Sequence, residues 1–113
     1  MTSELKVGIV GATRGKSFAN SCKPFPDVKV AAVCDTNSAA LAKAKADLGP
    51  IDTFTDFEKM ATADLDIIVI ATPQNLHAPQ AVRAMEEGKH VLSEVPAATD
   101  LDQCQALHRR PVP

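Results

Sequence analysis

The 113-residue sequence has no tryptophan, no tyrosine and only four phenylalanines. Flat aromatic platforms for stacking the bases of a single strand are therefore missing. Cysteine is scarce and odd in number, with Cys22, Cys34 and Cys104 in no CxxC spacing. That argues against a disulfide framework or a zinc ribbon, and no metal is expected. It predicts reduced, mostly buried thiols and a cytoplasmic protein. A strong excess of either charge is also lacking. The net charge of −2 gives no electrostatic reason to expect nucleic acid or an anionic membrane as partner. No apolar run approaches the length of a membrane span, and with Met1 to Glu4 going straight into the first apolar run no signal peptide is expected.

What is present suffices for one domain with a core: 45% of the residues are hydrophobic, many of them alanine. The organising stretch is Leu5-Lys6-Val7-Gly8-Ile9-Val10-Gly11-Ala12-Thr13-Arg14-Gly15. Its β-branched residues read as a strand buried on both faces, breaking into a glycine-containing turn. Lys16 to Cys22 predicts a helix, which Pro24 and Pro26 close. A strand, a tight turn and a helix N-terminus gather backbone N–H groups around one point, and such a point binds phosphate. Twenty residues after Gly15, the second apolar run Val28 to Cys34 ends in Asp35. An acid there is placed to hold the ribose hydroxyls of an adenosine.

The alternation continues. Thr36, Asn37 or Ser38 can cap a helix with its body at Ala39 to Leu48, stopped by Gly49 and Pro50. A short strand around Thr53-Phe54 precedes a small helix capped by Asp56. Asp66 to Ala71 is the strongest strand, expected to be central in the sheet. After Thr72-Pro73-Gln74-Asn75, a helix presents Ala78, Ala81, Val82 and Met85 on one face, and Gly88 ends it. His90-Val91-Leu92 makes a last strand and Asp100 opens a last helix. The series predicts an α/β fold, a Rossmann-like doubly wound parallel sheet of five or six strands in a single domain over 1–108. A Pro/Arg tail over 109–113, unlike the rest, suggests a truncation or a frameshift.

Every polar cluster follows a strand, which is where such sheets bind ligands: Thr13-Arg14, Asp35, Thr72 to His77, and Glu94. The turn itself departs from the G-x-G-x-x-G fingerprint. Gly11 fits, but Thr13 and Lys16 stand where glycines would, and the second glycine is Gly15. Gly15-Lys16-Ser17 matches the end of a P-loop, yet the first glycine of that motif would fall on Val10. The Gly11-x-x-x-Gly15 spacing is also similar to the looser turn of short-chain dehydrogenases, without its third glycine. A plain strand-to-helix turn remains open, as does a helix-capping role for Asp35.

Four blocks carry a resemblance to a known family: Val7-Gly8-Ile9-Val10-Gly11, Val33-Cys34-Asp35, Ile70-Ala71-Thr72-Pro73-Gln74-Asn75-Leu76-His77 and Gly88-Lys89-His90-Val91-Leu92-Ser93-Glu94-Val95-Pro96. In order and spacing the chain resembles the N-terminal NAD(P)-binding domain of the glucose–fructose oxidoreductase and inositol dehydrogenase (Gfo/Idh/MocA) family. The resemblance runs from about Lys6 to Leu107. It implies an oxidoreductase acting on sugars, polyols or related carbonyl compounds. It implies that Gly11, Ala12, Thr13, Arg14 and Gly15 cradle the pyrophosphate of NAD, or alternatively NADP, and that Asp35 binds the adenosine ribose. Thr72, Pro73 and Asn75 would line the nicotinamide side, with His77 near it and Glu94 toward the nicotinamide ribose. For His77 the plain alternative is a solvent-exposed helix N-terminus; for Glu94-Val95-Pro96 it is a strand-exit turn.

Two departures bear on activity. The family's E-K-P lysine is Val95, which can neither donate a hydrogen bond nor move a proton. The family's C-terminal substrate domain is not in these residues, leaving Glu94 and His77 as the catalytic candidates. Two functions follow: the cofactor half of an oxidoreductase, catalytically incomplete alone, or a non-catalytic nucleotide-binding sensor or interaction module. Either predicts a partner, as a substrate domain or homologous subunit in trans, or a homo-oligomer through apolar surface at Leu92, Val95 and Leu107. Asp35 predicts NAD over NADP because a carboxylate repels a 2′-phosphate, with Arg14 the counterweight.

Overall fold

A computed structural model describes residues 4–94, 98 and 100–108. Strand and helix alternate: β1 (Leu5–Val10), α1 (Lys16–Cys22), β2 (Val28–Cys34), α2 (Ser38–Leu48), β3 (Asp52–Phe54), α3 (Phe57–Ala61), β4 (Ile67–Ile70), α4 (His77–Glu86), β5 (His90–Ser93) and α5 (Leu101–His108). A 3₁₀ turn, Gln74–Leu76, leads into α4. The five strands form one parallel sheet in the order β3-β2-β1-β4-β5. The chain winds outward from β1 to β3, then returns to build the other half. β1, rather than the more apolar β4, is thus the middle strand, although β4 also has a neighbour on each side.

The two-residue period of a strand sorts the core onto two faces. Val7, Ile9 and Val69 pack with Ala19 of α1. On the same side Val33 packs with Leu41 of α2 and Ile51. Val10, Ile68 and Ile70 pack with Met60 of α3 and Ala81 and Ala84 of α4. Met60, Ile68 and Ile70 have no exposed surface, so truncating Ile68 to alanine would cost about 2–5 kcal/mol. Asn37 is the residue that caps α2, its side chain accepting from the amides of Ala39 (2.9 Å) and Ala40 (3.3 Å). Gly49 ends that helix at φ +84°, a backbone conformation that disfavours other residues.

Three expectations need correction. On α4 the buried stripe is His77, Ala78, Ala81 and Ala84, with Val82 and Met85 only half-buried, so the apolar face is rotated by about one residue. The thiols are not mostly buried: Cys34 is, Cys22 is half-buried and Cys104 is exposed on α5. Leu107 was expected on an open apolar face but packs against the cluster under α4. Leu92 is indeed exposed, at 51%, while Val95 and the 109–113 tail lie outside the described residues.

Candidate cofactor site

Because all strands run the same way, their carboxyl ends share one rim. Backbone hydrogen bonds extend the ladder past the strands and lock that rim. Gly11 donates to the carbonyl of Cys34 (2.9 Å), Asp35 to Phe54 (3.0 Å), Ala71 to Val10 (2.8 Å) and Glu94 to Ile70 (3.0 Å). The predicted clusters are thereby fixed side by side, though they come from four separate loops.

The turn after β1 explains which glycines matter. Gly11 has φ +97°, and a Cβ there would collide with the carbonyl of Ala71 on the neighbouring strand end. A Cβ on Gly15 would meet the side chain of Ile9 and, at 2.7 Å, the carbonyl oxygen of Gly11. Gly15 therefore performs the close helix-to-strand packing that the fingerprint assigns to its last glycine, one residue early. Among the described residues, neither the Thr13 nor the Arg14 amide donates to a protein acceptor. Two N–H groups of the turn remain for an anion, as the phosphate reading of this turn requires.

Asp35 is tied to the turn. Its Oδ2 accepts from the Ala12 amide (2.9 Å) and its Oδ1 from the Asn37 amide (2.9 Å). The helix cap belongs to Asn37, so Asp35 is not a capping residue. Its half-buried carboxylate joins the glycine turn to the start of α2.

Thr72 is held from two directions by α4. Its hydroxyl donates to Gln80 Oε1 (2.6 Å), and its carbonyl accepts from His77 Nε2 (2.6 Å). A carbonyl only accepts, so Nε2 carries the proton. His77 is 2% exposed, which removes the plain alternative of a solvent-exposed residue: it is tucked beneath the Thr72-Pro73 turn, with Nε2 engaged there rather than acting as a base. Asn75 sits in the exposed 3₁₀ turn and lines neither of the cavities described next. Glu94, with a side chain 16% exposed, accepts from Arg14 Nε at 2.9 Å (Oε2) and 3.3 Å (Oε1).

Two cavities lie along the rim. One, of about 320 Å³, has Gly11, Asp35, Thr36, Thr55, Phe57 and Leu76 in its walls. The other, of about 420 Å³, is lined by Gln74, His77 and Glu94. They share Arg14, Ala71, Thr72 and Pro73, so one elongated ligand can span both. A separate crevice between α1 and α2 is mainly apolar in its exposed lining, and the clusters after β2, β4 and β5 stand apart from it. Gln80, Thr55, Phe57 and Leu76 were not singled out in sequence. Only Gln80 left a signal, three residues after His77 and so on the same helix face.

A glycine turn feeding a helix, a carboxylate bonded to that turn and a cavity running across the strand ends define a Rossmann-type dinucleotide-binding domain. The chain belongs to the GFO_IDH_MocA oxidoreductase family, whose NAD-binding Rossmann-fold model matches residues 5–110. It is 35% identical over 116 residues to a glycosyl hydrolase family 109 protein of Solibacter usitatus, covering 91% of this chain and 26% of that protein. It is 33% identical over 111 residues to an alpha-N-acetylgalactosaminidase of Shewanella oneidensis, covering 88% and 24%. Among solved structures it superposes on scyllo-inositol dehydrogenase from Lactobacillus casei, crystallised with NAD(H) and scyllo-inositol, with a TM-score of 0.86, 33% identity and coverage of 95% and 34%. WlbA dehydrogenase from Bordetella pertussis, in complex with NADH and UDP-GlcNAcA, gives 0.88, 31%, 96% and 32%. The chain thus spans about a quarter of the curated relatives' length and a third of these solved chains.

Proposed function

We propose that the chain holds NAD along this rim and serves hydride transfer on a polyhydroxylated ring substrate. The observation that carries this reading is the 2.9 Å bond from the Ala12 amide to Asp35, which fixes a carboxylate beside the phosphate-binding turn. Gly11 to Gly15 cradle the pyrophosphate with the Thr13 and Arg14 amides as donors. Asp35 accepts from the adenosine ribose. Thr72 and Pro73 line the nicotinamide side, with His77 holding the Thr72 carbonyl in place. Asn75 contacts the cofactor only by a rearrangement of its exposed turn. Once bound, the nicotinamide supplies the hydride chemistry. The relatives' names join a glycosidase, an inositol dehydrogenase and a dehydrogenase bound to a nucleotide sugar, which supports a carbohydrate or cyclitol substrate. The groups that select it come from outside these residues, in the same polypeptide or a partner subunit.

Asp35 makes NAD the preferred cofactor, since its carboxylate accepts from paired ribose hydroxyls and repels a 2′-phosphate. Calorimetric titration of the chain with NAD and NADP is expected to show NAD binding more tightly. Asp35→Ala should narrow the ratio by about tenfold or more, the scale of one charged hydrogen bond. An unchanged ratio would overturn the role. A non-catalytic nucleotide-binding module is the second reading, favoured by Val95 in place of the E-K-P lysine. Supplying the unaltered chain with a substrate domain distinguishes the two: turnover supports the oxidoreductase half, and none, with or without turnover gained by Val95→Lys, supports the module.

A further inference from the structure

The two edges of the sheet differ in how open they are. β3 is three residues long and begins on a carboxylate, Asp52. β5 runs from His90 to Ser93 in unbroken register with β4, and it carries no lysine, proline or bulge. Those are the devices that usually keep an edge strand from pairing.

The ladder to β4 shows which backbone groups of β5 are left over. His90 donates to Asp66 (3.1 Å) and Glu94 to Ile70 (3.0 Å). Backbone groups alternate in direction along a strand, so His90, Leu92 and Glu94 turn theirs toward β4, and Val91 and Ser93 direct theirs outward. Among the described residues neither outward amide has an acceptor. The side chains alternate between the faces as well. Val91 packs into the cluster under α4. Leu92 is in register with Val69, so it points to the α1 side of the sheet, where it is exposed. A free backbone edge and a bare apolar side chain thus lie on the same short strand.

We propose that a second copy of the chain pairs with this edge, β5 against β5 and antiparallel, about a two-fold axis at Leu92. The register follows from the outward groups. With the axis at Leu92, Val91 faces Ser93 of the second copy, and the two exchange N–H and C=O bonds on both sides of the axis. An axis at Val91 would instead set Ser93 against Lys89, whose amide is already bonded to the carbonyl of Ala84. Leu92 meets its twin as a non-hydrogen-bonded pair, with Cα atoms about 4.5 Å apart, and the two exposed leucines cover each other. At both ends of the seam His90 lies opposite Glu94 of the second copy, an imidazole donor facing a carboxylate, and these pairs oppose no like charges. Such a contact is self-complementary, so assembly stops at the dimer. The strands run in opposite directions across the seam, so the two candidate rims open at opposite ends.

Sedimentation equilibrium of the 113-residue chain is expected to show a reversible monomer–dimer equilibrium. Its dissociation constant should be on the order of 100 µM, as suits a small interface. Leu92→Lys opposes two ammonium groups at the axis and should leave a monomer. Ser93→Pro removes an outward N–H and no bond to β4, so it should weaken the dimer by about tenfold or more while circular dichroism stays native. The register is read by oxidation with glutathione disulfide in a Cys104→Ser background, which removes the exposed thiol. Leu92→Cys should link to its twin about tenfold faster than His90→Cys, whose twin lies about 13 Å away, beyond the reach of a disulfide. A wild-type chain that stays monomeric at about 1 mM overturns the proposal. A dimer that Leu92→Lys leaves intact overturns it too, because another surface then carries the association. Equal linking of the two cysteine variants overturns the register. If Ser93→Pro loses its native spectrum, Leu92→Lys and the cysteine variants still decide the matter.

Discussion

Cys34 shows how one residue's neighbourhood sets its chemistry. Burial pushes its thiol up to about 11, and the nearby Asp35 and Asp56 carboxylates push in the same direction. Burial alone raises Cys22, and Cys104 lies exposed. The thiolate is the reacting species, so the three differ in reactivity. At pH 8 an aromatic disulfide reagent should label Cys104 first, Cys22 more slowly and Cys34 only on unfolding, as mass spectrometry of the labelled peptides would show. Rapid labelling of Cys34 in the folded chain would contradict its burial. The sign of the linkage follows. The folded chain holds this proton more tightly than the unfolded chain, whose thiol titrates near 9.0. The corresponding stability is whole below about pH 9 and is lost as the pH rises toward 11.

At the scale of elements, the loops after β1 and β2 act as one unit. The Ala12 amide, the Asp35 carboxylate and the Asn37 amide form a chain, and the Asn37 side chain then caps α2. Removing the cap side chain should therefore loosen the start of α2 next to Asp35. Asn37→Ala is expected to cost about 1 kcal/mol. In a domain of this size that lowers Tm by roughly 4 °C in a thermal melt. No change in Tm would mean that water or a neighbouring side chain replaces the cap. The turn after β4 is organised in a similar way, by Gln80 and His77 of α4 acting on the two ends of Thr72.

At the scale of the whole molecule, the described residues form one ledge across the strand ends, and what they could do to a second reactant rests on two side chains. Of the two catalytic candidates, His77 is buried with Nε2 on a carbonyl and Glu94 is paired with Arg14. Neither is poised to take a hydroxyl proton. Hydride transfer also needs a substrate held against the ring, and that positioning typically carries several kcal/mol of the barrier, on the order of a thousandfold in rate. The chain with NAD is therefore expected to show no sustained NADH absorbance with a panel of sugars, polyols and cyclitols. Steady turnover would show that these residues contain a complete active site.

The sequence by itself determined the elements and their order. Strand periods, proline and glycine stops and the Asp56 cap are local, and each acts within a few residues of where it is read. Gly11, Asp35 and Thr72 were legible as neighbours on one rim for a related reason: in a parallel sheet, whatever follows a strand lies at the shared carboxyl end. Tertiary structure alone decided what happens between loops. That β1 is the middle strand depends on the direction of each crossover, which composition does not encode. The burial of His77, the shelter of Leu107 and the exposure of Cys104 depend on how α4 and α5 are rotated against the sheet. The Arg14–Glu94 pair joins residues 80 positions apart. No periodicity could reveal it, because it exists only where the ends of β1, β4 and β5 are brought side by side.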